Sequence, residues 1–132
     1  MNIEDVARKF VAAINRHDVD AIFDMMTEDH RFIDGMGSVI KGSEEMKKGW
    51  NGYFSMVPDY SIDIDEIFVL GNSVVLLGLA SGTYSSDGTL KQDNYWKTPA
   101  AWRALVSGDK IREWQVFADN EPLREIMRKE GS

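Results

Sequence analysis

The chain contains no cysteine, and its 132 residues include only two histidines. The lack of cysteine excludes disulfides, thiolate metal ligands and cysteine nucleophiles together. His17 and His30 are too few and too far apart in the sequence for a histidine-rich metal site. The phosphate-binding patterns GxGxxG and Walker A are also absent. We therefore expect neither a metal nor another cofactor.

The sequence also lacks a run of about 18 apolar residues, so we expect no membrane-spanning helix. It lacks a basic stripe as well, because its 15 lysines and arginines are scattered and its net charge is −7. Nucleic-acid binding is therefore not expected. Residues 1–10 are acidic and amphipathic, unlike a signal peptide. These features predict a soluble, cytoplasmic protein with no membrane or nucleic-acid partner.

Apolar residues make up 43% of the chain, which is enough for a well-formed core. A chain of this length buries roughly two-thirds of its unfolded surface on folding. The sequence has no internal repeat, linker or low-complexity tract. Residues 1–132 are therefore predicted to form a single domain.

Helical periodicity dominates the first part of the chain. Apolar residues recur at intervals of three and four in 3–16 and again in 19–26, which predicts two amphipathic helices. A short strand is predicted at 30–34, before a glycine-rich break. A third helix is predicted between Ser43, its N-cap, and Pro58.

After Asp59 the apolar period changes from about 3.6 residues to 2, which is typical of strands. Turn signals around Gly71, Gly88 and Gly108 divide this segment into four long strands, followed by a last helix. Pro99 lies within the third of these strands and predicts a bulge, a bend or an edge there. Helices followed by an antiparallel meander predict an α+β fold, whose twisted sheet can enclose a pocket.

The last strand, at 111–120, alternates two kinds of side chain. One face carries Trp114, Val116 and Ala118, and the other carries Glu113, Gln115 and Phe117. A carboxylate, Asp119, lies where the strand ends. Both faces carry bulky or apolar groups, so the alternation alone does not decide which of them faces a pocket.

This order of elements, with three local patterns, resembles the nuclear transport factor 2-like superfamily. Within it, the chain is most similar to SnoaL-like polyketide cyclases and relatives of ketosteroid isomerase. The patterns are FVAAINRHDVDAIFDMMTEDHRFID at 10–34, GSEE at 42–45 and GDKIREWQVFAD at 108–119. The resemblance covers essentially the whole chain. It implies a cone-shaped α+β barrel, in which a curved antiparallel sheet packs against N-terminal helices, with a deep apolar pocket and commonly a dimer through the outer sheet face.

The resemblance implies that Asp34 holds the position of a proton-abstracting carboxylate. Partial desolvation at the mouth of an apolar pocket would raise its pKa and make it a better base. The structural alternative is an aspartate that stabilises the following glycine turn. His30 is a second candidate acid or base, and its alternative is a strand-edge residue that makes a local hydrogen bond.

Asp119 resembles the carboxylate at the end of the last strand in SnoaL-like cyclases and limonene epoxide hydrolase relatives. Strand parity places it opposite Trp114, so a structural role at the start of the last helix, which Asn120 is expected to cap, is an equally good interpretation. A ketosteroid isomerase also needs a tyrosine and an acid as oxyanion donors. The resemblance implies Phe10 and Ala100 at those positions, and neither side chain can donate. We therefore expect no steroid isomerase activity.

Eight side chains are predicted to line a pocket for an apolar ligand, although core or dimer-interface roles are the alternatives. They are Phe10, Ile14, Trp50, Phe54, Trp96, Trp102, Trp114 and Val116, with Tyr53 in the same aromatic set. Gln92 and Asn94 share the strand parity of Trp96 and could orient a ligand carbonyl, or could face solvent.

Two functions remain open from the sequence. One is a cofactor-free acid–base enzyme acting on a small apolar carbonyl compound, with Asp34 as base and His30 or Asp119 assisting. The other is a non-catalytic, dimeric ligand-binding or adaptor domain.

Overall fold

A computed structural model describes residues 2–131, which form an α+β fold of four α-helices and a six-stranded sheet. The helices are α1 (Ile3–Asn15), α2 (Val19–Met25), α3 (Ser43–Met56) and α4 (Glu121–Glu130). The strands are β1 (Met26–Ile33), β2 (Val39–Lys41), β3 (Ser61–Leu70), β4 (Ser73–Thr83), β5 (Tyr95–Ser107) and β6 (Lys110–Ala118). None of these helices combines the length and the apolar character that crossing a membrane requires.

Side-chain caps fix the starts of the first two helices. The Asn2 side chain accepts a hydrogen bond from the Asp5 backbone N–H at 2.9 Å, and Asp18 accepts one from Ala21 N–H at 3.1 Å. Each bond satisfies a donor that the first helical turn leaves unpaired. The buried stripe of α1 includes Phe10 and Ile14, which the helical spacing had assigned to its inner face.

The sheet has the strand order β2-β1-β6-β5-β4-β3. Strands β3 to β6 form the predicted antiparallel meander, and the predicted α+β class with a curved sheet is confirmed. Two details differ from the expectation of a closed, antiparallel barrel. Strand β1 pairs with β6 in parallel, and the sheet ends at β2 and β3. Periodicity identifies a strand but not its partner, so this long-range pairing left no signal in the sequence.

Several boundaries differ from the prediction. Strand β1 begins at Met26, four residues earlier than expected, and β2 was not predicted at all. The third long strand begins at Tyr95 because residues 92–94 form a short 3₁₀-helix. Pro99 pairs with Leu79 without a register shift, but pairing with β6 starts only at Ala100. Of the three outcomes predicted for Pro99, the structure shows a local edge, because β6 does not extend far enough to pair with it.

A bulge in β6 sets the faces of the strand that ends at Ala118. Leu105 pairs with Glu113 while Val106 pairs with Ile111, so Arg112 is the extra residue. Ile111 and Trp114 are therefore both buried, although they are three positions apart. Beyond the bulge the predicted alternation holds. The core lies between this inner face and the helices.

Candidate functional site

A cavity of about 300 Å³ lies between α3 and the inner face of the sheet. The loop after β1, strand β2 and the residue before α4 complete its wall. Most of the wall is apolar or aromatic. The lining residues are Phe32, Asp34, Gly35, Ile40, Met46, Gly49, Trp50, Tyr53, Tyr60, Ala80, Trp96, Trp114, Val116, Ala118 and Asn120.

Four of the eight side chains predicted to bind ligand lie in this wall, namely Trp50, Trp96, Trp114 and Val116. Three of these residues come from β5 and β6, where they lie on the inner face of the sheet. Trp50 comes from the buried side of α3. Ring contacts join part of the wall, since Trp50 lies 6.3 Å from Phe32 between ring centroids.

The other four predicted ligand contacts lie outside the cavity wall. Phe10, Ile14 and Trp102 are fully buried in the core. The Phe10 ring packs 5.0 Å from Trp114, so α1 rests directly on the sheet and leaves no space there. Phe54 stacks on His17 at a centroid distance of 4.1 Å. The structure thus corrects these assignments to core packing, because the cavity lies near the end of β6 and not beneath α1.

Asp34 lies in the cavity wall immediately after β1. Its Oδ1 accepts hydrogen bonds from the backbone N–H groups of Met36 at 2.9 Å and Ser38 at 3.0 Å. The turn-stabilising role and the cavity position therefore coexist in one residue. Both bonds use Oδ1, so Oδ2 is the oxygen that can accept a proton from a bound molecule.

His30 lies on the same face of β1 but is fully buried in the core, outside the cavity wall. Its Nδ1 lies 2.8 Å from the Ile111 carbonyl oxygen, which can only accept, so Nδ1 carries the proton. Its Nε2 is buried without a hydrogen-bond partner among residues 2–131. Burial lowers the pKa of His30, against smaller opposing effects of Ile111, Glu113 and Asp29. The structure favours a neutral core histidine over a catalytic one.

Asp119 is exposed and lies outside the cavity wall. Its Oδ1 accepts a hydrogen bond from the Glu121 N–H at 3.0 Å, so it caps α4. The structure favours this structural role over the catalytic one. Asn120, which was predicted to cap the helix, makes no side-chain cap bond and lines the cavity instead.

Two tyrosines supply polar groups to the wall. Tyr53 belongs to the aromatic set predicted for a pocket, whereas Tyr60 had no assigned role. Tyr53 on α3 and Tyr60 before β3 both line the cavity, with their rings perpendicular and 5.0 Å apart. Burial raises the pKa of both hydroxyls above the ordinary phenol value, and for Tyr60 the neighbouring Tyr53 adds to this effect. Tyr60 did carry a signal, because it shares the strand parity of the inward-facing Ile62 and Ile64.

Gln92 and Asn94 do not reach the cavity. Gln92 is exposed, and the Asn94 side chain bonds the Tyr84 carbonyl at 3.3 Å and the Glu130 carboxylate. Asn94 therefore ties the end of α4 to the segment before β5. Within residues 2–131, no group of three or more histidine, aspartate or glutamate side chains could hold a metal ion.

A family model described as a SnoaL-like domain matches residues 7–114, which is well over half of the chain. No curated protein matches the chain by sequence. Solved structures match it at low identity and therefore show the fold alone.

A candidate SnoaL-like polyketide cyclase from Shewanella denitrificans OS-217 superposes with a TM-score of 0.82 at 14% identity, over 96% of this chain and 97% of that one. A second such candidate, from Shewanella putrefaciens CN-32, gives 0.81 at 16% identity over 98% of both chains. A protein of ketosteroid isomerase-like fold from Catenulispora acidiphila DSM 44928, solved with trimethylamine, gives 0.72 at 17% identity, over 84% of this chain and 82% of that one.

Proposed function

Because the chain belongs to the SnoaL-like domain family, we propose that it binds a small apolar carbonyl compound in the cavity and removes a proton from the carbon beside the carbonyl. Asp34 is the base in this proposal. The candidate polyketide cyclases among the similar structures support chemistry of the cyclase or isomerase kind.

The observation that carries the proposal is one carboxylate in the wall of a largely apolar and aromatic cavity. A carboxylate base in such a place is within reach of a bound ligand. The turn bonds to Met36 and Ser38 hold Asp34 through Oδ1, so the second oxygen keeps a fixed position. Positioned bases of this kind typically contribute about 10²- to 10⁴-fold in rate.

The proposed reaction needs no change of oxidation state. Asp34 Oδ2 takes the proton from the α-carbon, and the electrons of that C–H bond move to the carbonyl oxygen to give an enolate. The enolate carbon then attacks a second carbonyl of the same molecule, whose oxygen takes the proton from the neutral Asp34, or the neutral Asp34 returns the proton at another carbon. The first outcome is a cyclisation and the second is an isomerisation.

Exchange of α-hydrogen for deuterium tests this step without knowledge of the natural substrate. We expect the protein to accelerate deuterium incorporation into 1-tetralone in D₂O, followed by NMR. Asp34→Asn should remove the acceleration and retain binding, because the amide oxygen can still accept the bonds from Met36 and Ser38. Asp119→Asn is the matched control, since it changes a carboxylate outside the cavity. Binding without any acceleration would favour the non-catalytic ligand-binding function.

We also propose that the protein is a homodimer that pairs through the outer face of the sheet. This face carries Phe68 and Phe117, each 53% exposed, and Tyr95, 49% exposed. Phe117 lies opposite Ala101 on β5, which in turn pairs with Leu77 on β4, so apolar side chains continue across three strands. An exposed apolar stripe of this kind is typical of an interface between subunits.

Analytical ultracentrifugation of the full chain tests the dimer. The native protein should sediment as a dimer, and Phe117→Glu should shift it to a monomer because two buried carboxylates would face the interface. Met127→Glu on α4, at a partly exposed position away from the sheet face, provides the control. A native protein that is monomeric at high micromolar concentration would contradict the proposal.

A further inference from the structure

The cavity volume sets the size of ligand that it can hold. An apolar cavity of about 150 Å³ in another protein is large enough for benzene. The cavity described here measures about 300 Å³, twice that volume. It therefore matches a compound of two fused six-membered rings, and a flat four-ring compound would be too large.

The Tyr53 and Tyr60 hydroxyls are two of the polar groups in this wall. The wall also holds the indole N–H groups of Trp50, Trp96 and Trp114, which are buried without a hydrogen-bond partner within residues 2–131. Tyr60 is only 8% exposed, and no hydrogen bond to its hydroxyl or to that of Tyr53 is found within residues 2–131. A ligand atom that accepts a hydrogen bond would give these hydroxyls a partner.

The position of Tyr60 is held from several sides. Its backbone N–H donates to the Val57 carbonyl at 3.1 Å, and its carbonyl oxygen lies 2.7 Å from His17 Nε2. Its ring packs against Tyr53 at 5.0 Å and Trp96 at 6.2 Å. The hydroxyl is therefore preorganised, which is the condition under which a donor favours a developing negative charge.

Both hydroxyls remain protonated over the whole range in which the protein would work, because burial raises their pKa. They can therefore donate to a ligand but cannot serve as bases. The ligand atom that they select must be an acceptor, and an enolate oxygen accepts more strongly than a neutral carbonyl oxygen. The same cavity wall holds Asp34, the group that would create the enolate.

We propose that Tyr53 and Tyr60 donate hydrogen bonds to the carbonyl oxygen of a compact, two-ring ketone while its α-carbon faces Asp34. They would supply the donors that Phe10 and Ala100 cannot offer. This inference rests on the proposed function, because it assigns the polar contacts of the same cavity. It names the ligand class as two-ring ketones and the tyrosine pair as carbonyl-binding residues.

Paired ligands separate hydrogen bonding from apolar packing. The affinities of 1-tetralone and of tetralin, its analogue without the oxygen, are measured by calorimetry on the native protein, on Tyr53→Phe, on Tyr60→Phe and on the double variant. Each single variant should weaken 1-tetralone binding about fivefold, as expected for a net hydrogen bond of about 1 kcal/mol. Tetralin binding should not change. Tyr84→Phe, outside the cavity wall, should leave both affinities unchanged.

Anthrone, a three-ring ketone, tests the size argument. It should bind more weakly than 1-tetralone despite its larger apolar surface. Tighter binding of anthrone would overturn the assignment to two-ring ketones. Native protein that does not prefer 1-tetralone over tetralin, or tyrosine variants that keep the native preference, would overturn the assignment of the tyrosine pair.

The outcomes also separate this inference from the catalytic proposal. A ketone preference that depends on Tyr60, found without any deuterium exchange, would support the carbonyl site and refute Asp34 as a base. Exchange that depends on Asp34 but is unaffected by both tyrosine substitutions would support the base and refute the carbonyl site.

Discussion

Filling the cavity should stabilise the protein and abolish ligand binding. Ala80 on β4 lies in the cavity wall and is buried. Ala80→Ile adds three carbons, which would contribute about 2.4 kcal/mol at roughly 0.8 kcal/mol for each buried CH₂ group. Ordering the isoleucine side chain would cost about 0.5–1 kcal/mol. We therefore expect the free energy of unfolding to rise by about 1–2 kcal/mol.

Urea denaturation, followed by tryptophan fluorescence, measures this change through the midpoint at constant slope. Ala104→Ile is the matched control, because Ala104 is fully buried on the inner face of β5 and does not line the cavity. The same three carbons should overpack the core there and cost about 1–3 kcal/mol. If Ala80→Ile destabilised the protein as much as Ala104→Ile, the reasoning that a fillable space exists beside Ala80 would be refuted.

Two further predictions concern the buried groups around this site. The pKa of His30 is lowered in the folded protein, so the unfolded chain binds its proton more readily, and the free energy of unfolding should fall as the pH drops below the ordinary histidine value of 6.5. His30→Asn can keep the bond to Ile111 and should remove that part of the pH dependence. A difference in the free energy of unfolding between the native protein and this variant that stayed constant between pH 7.5 and 5 would contradict the prediction. Gly78→Ala should cost several kcal/mol, about 3 or more, because its Cβ would lie 1.9 Å from the Asp63 carbonyl oxygen beside the β3 bulge. Gly52→Ala on α3 meets no such contact and should not lower stability, because alanine favours a helix interior more than glycine does. A Gly78→Ala variant as stable as Gly52→Ala would show that the strand moves away freely.

The sequence predicted which residues share a face of each strand. It did not predict which of the residues on one face line the cavity and which pack in the core. His30, Phe32 and Asp34 share one face of β1, as their alternation indicates, yet only the latter two line the cavity. Four residues of strand span roughly 13 Å, so His30 lies under α1 while Asp34 lies at the cavity. The same argument separates Trp96, in the wall, from Trp102, in the core. Periodicity contains no information about this distance.

The polar residues of the site show a second limit. Strand parity predicted that Asp119 lies on the outward face, and the structure agrees. Which of the two adjacent side chains, Asp119 or Asn120, caps α4 depends on which of them reaches the helix N–H groups. The strand parity of Tyr60 indicates an inward side chain but no function, because the function depends on where the hydroxyl lies. The fold class and the position of Asp34 followed from pattern and resemblance. The carbonyl-binding pair required the packing of α3 against the start of β3.

The central claim is that Asp34 removes a proton from a ligand in this cavity. The most direct measurement is the ratio of deuterium-exchange rates between the native protein and Asp34→Asn, both saturated with 1-tetralone. We predict a ratio of about 100 or more, the lower limit for a positioned general base. A ratio near one, with both proteins binding the ketone equally well, would contradict the claim.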